Sequence, residues 1–300
     1  MKKVLISTKN NLKTIGGVEV FCKRLITNTT ILTNDNDLFK KKPAVDSYIV
    51  NLPSLQGLRI IIETARERNV FIYHHGRDLS NLKMLPYYII ETIVLFLVKR
   101  TIHANFLFKL LRSNVIEGYI SPEIKNTQQS LRSIDCLYVG RLEYYKGAHK
   151  IPEIFDLLRQ KGLEKFVVIG EGKYQQMIKN DSSLNGYKLL DFQDQKELLE
   201  YYAKSKYILI PAITNQESLS FVQIEAMNCG VVPIINSDLK GVIRPHKTLS
   251  NKSFIDLKEL PERFSDIEFE KLSNNAKLAG KKWIELTEEF ISHVNRCYIH

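Results

Sequence analysis

Short apolar runs alternate with amphipathic segments along the second half of the chain. The runs "CLYVG", "KFVVIGEG", "YILIPA" and "VVPII" have the length and composition of strands. Between them, "AHKIPEIFDLLRQKG", "QKELLEYYAKS" and "FVQIEAMNC" have helical spacing, and Gly162 and Gly230 follow the first and last of these segments. Strands that alternate with helices through short loops predict a parallel sheet covered on both faces.

The first half of the chain shows the same two kinds of segment less regularly. "KVLIST" predicts a short strand that runs into a polar loop containing Gly16 and Gly17, and "VEVFCKRLI" has helical spacing. "NVFIYHHG" predicts another strand, which ends in a turn. Since a polar connector near residues 126–134 separates this half from the regular one, we predict two α/β units.

The composition is that of a soluble globular protein. The 300 residues are 44 % apolar and both charge signs are abundant, so the chain can bury one large core or two ordinary ones. Its cysteines form no CxxC pair and have no histidine at metal-ligand spacing, which indicates reduced thiols in a cytosolic protein. The N-terminal "MKKVLIST" turns polar after three apolar residues, which predicts that there is no signal peptide.

The net charge of +10 lies entirely in the first half of the chain. Residues 1–133 contain 20 Lys and Arg against 10 Asp and Glu, whereas residues 134–300 contain 23 of each kind. This asymmetry favours two units that face different partners, one of them anionic. The alternative interpretation is a solvated basic surface.

One stretch of the first half combines apolar and basic residues. "MLPYYIIETIVLFLVKRTIHANFLFKLLR" begins with an apolar run that is too short to span a bilayer and continues with aromatics among Lys99, Arg100, Lys109 and Arg112. It is either a buried helix and strand or a face that lies in the headgroup region of a membrane. Both interpretations can hold for different faces.

Two carboxylates lie near the end of the predicted strand "YILIPA". Ser220-x-x-Gln223 predicts a capping box at the start of a helix over residues 221–229, with Glu217 in the loop before it and Glu225 inside it. Carboxylates only accept hydrogen bonds, so they suit a ligand rich in hydroxyl donors, such as a sugar or a ribose. The alternative is a surface acid at Glu217 and a solvated helix residue at Glu225.

A second predicted strand end carries two cations. In "VGRLEYYKG", Arg141 directly follows the strand and Lys146 comes five residues later, ahead of Gly147. Ligands of parallel sheets bind at the carboxyl ends of strands, and this pair of cations suits a diphosphate there. Ordinary surface charge is the alternative.

Four motifs in order carry a family resemblance. "VGRLEYYKG", "VVIGEGKY", "YILIPAITNQESLS" and "FVQIEAMNCGVVPI" resemble the donor domain of family 4 glycosyltransferases of the GT-B fold, including a full Glu-x7-Glu. "TIGGVEVF", "FIYHHG", "GYISPEIK" and the final "KKWIELTEEFISHV" resemble other family segments. The resemblance implies an α/β GT-B protein of two Rossmann-like domains facing an interdomain cleft, with a shortened N-terminal domain. Its implied divisions are an acceptor domain over 1–131, a nucleotide-sugar domain over 132–282 and a returning helix over 283–300.

The resemblance also implies a role for each site residue. Arg141 and Lys146 hold the donor diphosphate, Glu225 the ribose hydroxyls and Glu217 the transferred sugar, against which His75, rather than His74, lies. Glycines Gly16 and Gly17 let backbone amides approach the phosphate and the acceptor. The implied donor site further includes Gly140, Ser218, Leu219 and Ser220. Ser220 replaces the glycine usual in the family, which narrows the sugar pocket.

The implied reaction is retaining glycosyl transfer without metal or cofactor. The co-substrate is a nucleotide-diphosphate sugar, for which UDP is the nucleotide we expect first, and the acceptor is a lipid-diphosphate-linked or cell-surface glycan, as in lipopolysaccharide or capsule synthesis. We expect a cytoplasmic protein, peripheral on the inner face of the cell membrane, which binds an anionic membrane surface and no nucleic acid.

The sequence has other interpretations besides a glycosyltransferase. A GT-B phosphorylase or epimerase fits less well because of the Glu-x7-Glu. A basic nucleic-acid-binding protein predicts basic residues and exposed aromatics across both halves, whereas the second half is neutral. A basic membrane-binding protein without transferase activity is a further alternative. Asp35-x-Asp37 is similar to the metal motif of the other main glycosyltransferase fold. It lies in a polar loop rather than at a strand end, so we do not expect a metal there.

Overall fold

The chain divides into two compact units. In the computed structural model, the first unit comprises Met1–Ile120 with Leu286–His300, and the second comprises Ser121–Glu285. The structure describes residues 4–8, 30–34, 47–52, 58, 62, 69–74, 86, 87, 89, 90, 93, 101–103, 115–117, 131–214, 220–248 and 250–294. The predicted domain limits at 131 and 282 stay a prediction.

The first unit contains a six-stranded parallel sheet. Its strands are β1 (Val4–Thr8), β2 (Thr30–Asn34), β3 (Ser47–Leu52), β4 (Asn69–His74), β5 (Thr101–His103) and β6 (Val115–Glu117), in the order β2-β1-β3-β4-β5-β6. The strands predicted from "KVLIST" and "NVFIYHHG" are confirmed as β1 and β4. The helix predicted from "VEVFCKRLI" lies outside the described residues.

The second unit contains another six-stranded parallel sheet with helices between its strands. The strands are β7 (Ile134–Val139), β8 (Phe166–Ile169), β9 (Lys188–Leu190), β10 (Ser205–Ile210), β11 (Val232–Ile235) and β12 (Ile255–Asp256). The helices are α1 (Ile151–Gln160), α2 (Gln175–Asn185), α3 (Gln195–Lys204), α4 (Phe221–Asn228), α5 (Lys240–Ile243) and α6 (Asp266–Val294). The strand order is β12-β11-β10-β7-β8-β9.

Both faces of this second sheet are buried, as the alternation of strand and helix predicts. Neighbouring residues of β8 point into different clusters: Val168 joins a core with Phe155 of α1 and Phe269 of α6, whereas Val167 joins a core with Tyr202 of α3. The side chains of β10 divide in the same way between the two clusters. Continuous apolar runs such as "YILI" are typical of strands covered on both faces.

Two boundaries differ from the prediction. α1 begins at Ile151, because the chain first makes two 3-10 turns, Tyr144–Lys146 and Ala148–Lys150. α6 is one continuous helix from Asp266 to Val294, rather than a separate final helix beginning near 283. The left-handed conformation predicted just past α4 is confirmed at Gly230, whose φ is 72°.

The capping box predicted at Ser220 and Gln223 is wrong. Ser220 is the N-cap of α4, but its side chain makes no capping hydrogen bond. The Gln223 side chain is fully buried and donates to the Val242 carbonyl at 3.0 Å, with its Nε2 2.6 Å from the His246 imidazole. Tertiary partners from the segment after β11 therefore replace the local partner that the sequence motif indicates.

A single arginine ties the start of the second unit to two helix ends. Arg132 donates to the carbonyls of Tyr202 and Ser205, at the end of α3, at 3.0 and 2.6 Å. It also donates to the carbonyl of Cys229, at the end of α4, at 2.7 Å. The Tyr202 carbonyl also accepts from the Ser205 amide. The guanidinium thus adds a donor, and a positive charge, at the C-terminal ends of both helices.

Candidate active site

The order of the second sheet fixes where a ligand can bind. β8 and β9 lie on one side of β7, whereas β10, β11 and β12 lie on the other. The order in which successive strands are added to the sheet therefore reverses between the parallel strands β7 and β10. The loops that leave these two strands diverge at this point, which leaves room for a ligand. β7 ends at Val139, before Gly140 and Arg141, and β10 ends at Ile210, before Pro211.

Backbone hydrogen bonds hold the loop after β7 against the loop after β8. Gly140 donates to the Ile169 carbonyl at 3.0 Å and Leu142 to the Glu171 carbonyl at 2.8 Å. At Gly170, where φ is +148°, a β-carbon would stand 1.9 Å from the Gly140 carbonyl oxygen. Only glycine permits this approach, so the loop that carries Arg141 has a fixed support beneath it.

The turn that carries Lys146 is pressed against the end of β10. Gly147 closes it with φ +73°, and a β-carbon at Gly147 would lie 1.9 Å from the Pro211 carbonyl oxygen. Ile213 donates to the Tyr145 carbonyl at 3.3 Å and joins the turn to the same strand exit. The two predicted cation positions are thus brought to the switch point of the sheet.

The two cations differ in their environments. Lys146 is half-buried, and burial, with a smaller contribution from the nearby Arg141, lowers the pKa of its ammonium to about 8. Arg141 is exposed, and its carbonyl accepts a hydrogen bond from the buried Tyr138 hydroxyl at 2.9 Å. A cation whose pKa is lowered by burial and by a like charge gains most from an anionic ligand.

The start of α4 faces the same space. A cleft at the carboxyl ends of β7 and β10 is lined by Lys146 together with Ser220 and Val222. Ser220 is 5 % exposed, and the first amides of α4 have no partner within the helix. A lysine beside a helix N-terminus is an arrangement that suits a phosphate group.

Glu225 lies one turn into α4 and is half-buried. Its Oε2 accepts a hydrogen bond from the hydroxyl of Tyr202, which is fully buried on α3, at 2.9 Å. Burial raises the pKa of Glu225 to about 7, and the hydrogen bond from Tyr202 opposes this rise. The solvated-residue alternative for Glu225 is therefore wrong, because its carboxyl is partly buried and accepts a hydrogen bond from a fully buried hydroxyl.

The predicted site residues fall into two groups, six outside the described part of the chain and five within it. Those outside the described residues are Gly16, Gly17, His75, Glu217, Ser218 and Leu219. The described remainder lies around the switch point or on α4: Gly140, Arg141, Lys146, Ser220 and Glu225. The metal motif weighed at Asp35 and Asp37 also lies outside them, and within the described part no three acidic, cysteine or histidine side chains could hold a metal ion together.

Sequence reasoning missed the two tyrosines beneath the site. Tyr138 supports the Arg141 backbone from within β7, and Tyr202 supports Glu225 from 23 positions earlier in the chain. Both look like ordinary core aromatics in their apolar segments. The available signal was a tyrosine, rather than a phenylalanine, at a buried position, because a buried hydroxyl needs a hydrogen-bond partner.

The second unit matches a known family. The family model for glycosyl transferases group 1 matches residues 121–281, which is more than half of the chain. The protein belongs to the group 1 glycosyltransferases. This membership confirms the resemblance at the level of the group, whereas assignment to family 4 stays a prediction. A comparison of the sequence with curated proteins finds no match.

Solved structures share the fold of this group 1 protein over nearly its whole length. Anabaena Alr3699/HepE, solved in complex with UDP and glucose, matches with a TM-score of 0.71 and 11 % identity, covering 99 % of this chain and 100 % of that one. Sucrose-phosphate synthase from Thermosynechococcus elongatus matches with a TM-score of 0.67 and 12 % identity, covering 99 % and 98 %.

A third match has a different kind of partner. An α-glucosyltransferase in complex with UDP and a 13-mer DNA has a TM-score of 0.55 and 12 % identity, covering 98 % of this chain and 95 % of that one. At these identities the likeness concerns the fold alone. Together with the family it confirms the predicted fold class, an α/β GT-B glycosyltransferase with a shortened N-terminal domain.

Proposed function

We propose that this glycosyltransferase moves a sugar from a nucleotide-diphosphate donor, with UDP as the nucleotide, and binds the donor at the switch point of its second sheet. The observation that carries the proposal is the meeting of Lys146 and the start of α4 in one cleft, beside the loop of Arg141. UDP is chosen because the HepE and α-glucosyltransferase structures hold it. The experiment is calorimetric titration with UDP, GDP and ADP, in which UDP binds and the others bind more weakly.

The proposed transfer retains anomeric configuration and needs no metal. The acceptor hydroxyl oxygen forms a bond to the anomeric carbon while the bond from that carbon to the phosphate oxygen breaks. The bonding electrons pass to the departing diphosphate, which also takes the proton of the hydroxyl on the same face. Lys146 and Arg141 offset the charge that develops there, so their work in the transition state is electrostatic.

The remaining roles follow the resemblance. Glu225 accepts hydrogen bonds from the ribose hydroxyls, and Glu217 binds the transferred sugar with His75 beside it. At Gly16 and Gly17 the backbone amides approach the phosphate and the acceptor. Because no step uses a bound metal, we expect a chelator such as EDTA to leave the rate of transfer unchanged. Loss of activity in EDTA that Mn²⁺ restores would instead point to Asp35 and Asp37.

We further propose a lipid-linked or cell-surface glycan acceptor, reached from the cytoplasmic face of the cell membrane. The first 133 residues hold all the excess positive charge, and the helical residues Ile89, Ile90 and Ile93 are each at least half exposed. Exposed isoleucines beside basic residues suit the headgroup region of an anionic membrane. Among the residues that the structure describes, no helix is long and apolar enough to cross a bilayer.

Binding to anionic liposomes tests this surface. We expect co-sedimentation to decline as salt rises, because each Lys or Arg near the surface contributes about 1 kcal/mol that salt screens. Replacing Lys99, Arg100, Lys109 and Arg112 together by Gln should release the protein and leave UDP binding intact. These four residues lie outside the described part of the chain, so the experiment also locates the patch. A quadruple variant that sediments like the parent contradicts the membrane proposal.

Nucleic acid is the partner that the proposal leaves out. The DNA in the α-glucosyltransferase complex belongs to that protein, and the excess positive charge of the present chain is confined to one half. We expect DNA to compete with anionic liposomes only weakly and to leave UDP affinity unchanged. Tight, salt-resistant DNA binding would favour a nucleic-acid partner instead.

A further inference from the structure

We infer that Tyr202 is a positioning residue, whose single hydrogen bond holds the Glu225 carboxylate in the orientation and charge state that accept a ribose diol. The inference rests on the proposed function, since it names what prepares the ribose site of that function. It assigns to Tyr202 an influence on nucleotide affinity that depends on pH, although Tyr202 need not touch the ligand.

The geometry separates the two oxygens of Glu225. Oε2 accepts the Tyr202 hydroxyl at 2.9 Å, whereas for Oε1 the described part of the chain offers no hydrogen-bond partner. Tyr202 is fully buried and packs in the core on the α3 side of the sheet, so its hydroxyl is fixed in place. A hydroxyl anchored in this way allows the carboxylate little choice of rotamer and leaves Oε1 to accept from a ligand.

The backbone at the ends of α3 and α4 is held by a shared arginine. Arg132 donates to the Tyr202 carbonyl at 3.0 Å and to the Cys229 carbonyl at 2.7 Å, which links the end of α3 to the end of α4. α3 carries Tyr202 and α4 carries Glu225. The same cation therefore fixes both helices on which the pair of side chains depends.

The charge state follows from the same contact. A ribose diol donates hydrogen bonds, so it needs the ionised carboxylate, which burial disfavours. Burial raises the pKa of Glu225 to about 7, and the Tyr202 hydroxyl holds it lower than burial alone would. Loss of the hydroxyl should therefore raise this pKa further and leave more of the carboxyl protonated near neutral pH.

Few other groups titrate beside this pair. Among the described residues, Cys229 interacts electrostatically with the Tyr202 hydroxyl, and Arg132 with Cys229. On the diphosphate side of the site, Lys146 has a pKa of about 8 and loses charge as the pH rises. An experiment on Glu225 must therefore cancel the contribution of Lys146.

The experiment compares UDP-glucose with its 2′,3′-dideoxy analogue by calorimetry between pH 6 and pH 9. Both ligands carry the same diphosphate diester, so the ratio of their affinities cancels Lys146 and isolates the ribose hydroxyls. For the wild-type protein we expect the preference for UDP-glucose to rise about tenfold from pH 6 to pH 8, as Glu225 ionises.

In Tyr202→Phe the preference for UDP-glucose should increase with pH in the same way, but at a pH about one unit higher than in the wild-type protein. The preference for UDP-glucose is then about fivefold below wild type at pH 7 and approaches wild type by pH 9. Glu225→Gln should make the preference small and independent of pH. The control is Tyr187→Phe, which also removes the hydroxyl of a buried tyrosine. The Tyr187 hydroxyl donates to the Ile178 carbonyl oxygen at 3.2 Å, so this variant should keep the wild-type profile.

The outcomes separate the inference from the proposed function. A Tyr202→Phe profile equal to wild type, or lowered by one factor at every pH, overturns the positioning role. A wild-type preference that does not change with pH overturns it too. Failure of both UDP-glucose and UDP to bind the wild-type protein at any pH overturns the proposed use of UDP as well.

Discussion

Replacing Arg132 by methionine is expected to lower the free energy of unfolding of the second unit by about 3 kcal/mol. The side chain donates to three carbonyls at the ends of α3 and α4, at 3.0, 2.6 and 2.7 Å. Methionine fills similar space but removes the guanidinium donors, so that the Tyr202 carbonyl keeps only the Ser205 amide, and it removes a cation from two helix C-termini.

The single tryptophan reports this effect selectively. Trp283 is 2 % exposed and donates to the Pro245 carbonyl at 2.9 Å, so its fluorescence follows unfolding of the second unit in urea. Arg263→Met, at an exposed arginine, is the matched control and should change the free energy of unfolding by less than about 0.5 kcal/mol. The free energy of unfolding of Arg132→Lys should lie between those of the two methionine variants. Lysine keeps the positive charge but lacks the planar guanidinium that donates to several carbonyls. Equal stability of Arg132→Met and Arg263→Met contradicts the capping role.

Replacing Lys146 or Arg141 by alanine is expected to weaken UDP binding roughly 10- to 100-fold. Each change removes a charge-assisted contact to the diphosphate, whereas uridine lacks the phosphates and should bind all variants alike. Lys165→Ala is the matched control, because this exposed lysine precedes β8 at the opposite, amino-terminal edge of the same sheet. Unchanged UDP affinity in both alanine variants contradicts the assignment.

Lys146 also predicts a proton signature. Its pKa is about 8 without ligand, and a bound diphosphate should raise it. UDP binding near pH 8.5 should therefore take up a proton, which calorimetry detects as a dependence of the measured heat on the ionisation enthalpy of the buffer. The uptake should vanish in Lys146→Ala and persist in Arg141→Ala. Proton release on binding, or no exchange, contradicts this account of Lys146.

The sequence predicted the features that local patterns encode. Apolar runs located β7, β8, β10 and β11, and the position of Arg141 after one strand placed a cation at the edge where ligands bind. The position of Gly230 was predicted correctly, because many helices end in a residue with left-handed backbone conformation, which glycine adopts most easily.

The features that the sequence did not predict depend on contacts between distant positions. Arg132 reaches carbonyls at least 70 positions away, and Tyr202 reaches Glu225 across 23 positions. Neither contact leaves a periodic signal. At Gln223 a local motif was misleading, because the buried amide found partners at Val242 and His246 that compete with the helix cap. The burial that raises the pKa of Glu225 is likewise a product of packing.

The most direct test of the account is turnover of UDP-sugars followed by proton NMR in the presence of EDTA. A glycosyltransferase without its acceptor transfers the sugar slowly to water, and the anomer formed first reports the stereochemistry. We predict that one UDP-sugar of a panel is consumed, that the first product keeps the donor's anomeric configuration, and that Lys146→Ala is at least about tenfold slower. Consumption of none of them, inversion at the anomeric carbon, or a Lys146→Ala rate equal to wild type would contradict the proposed transfer at this site.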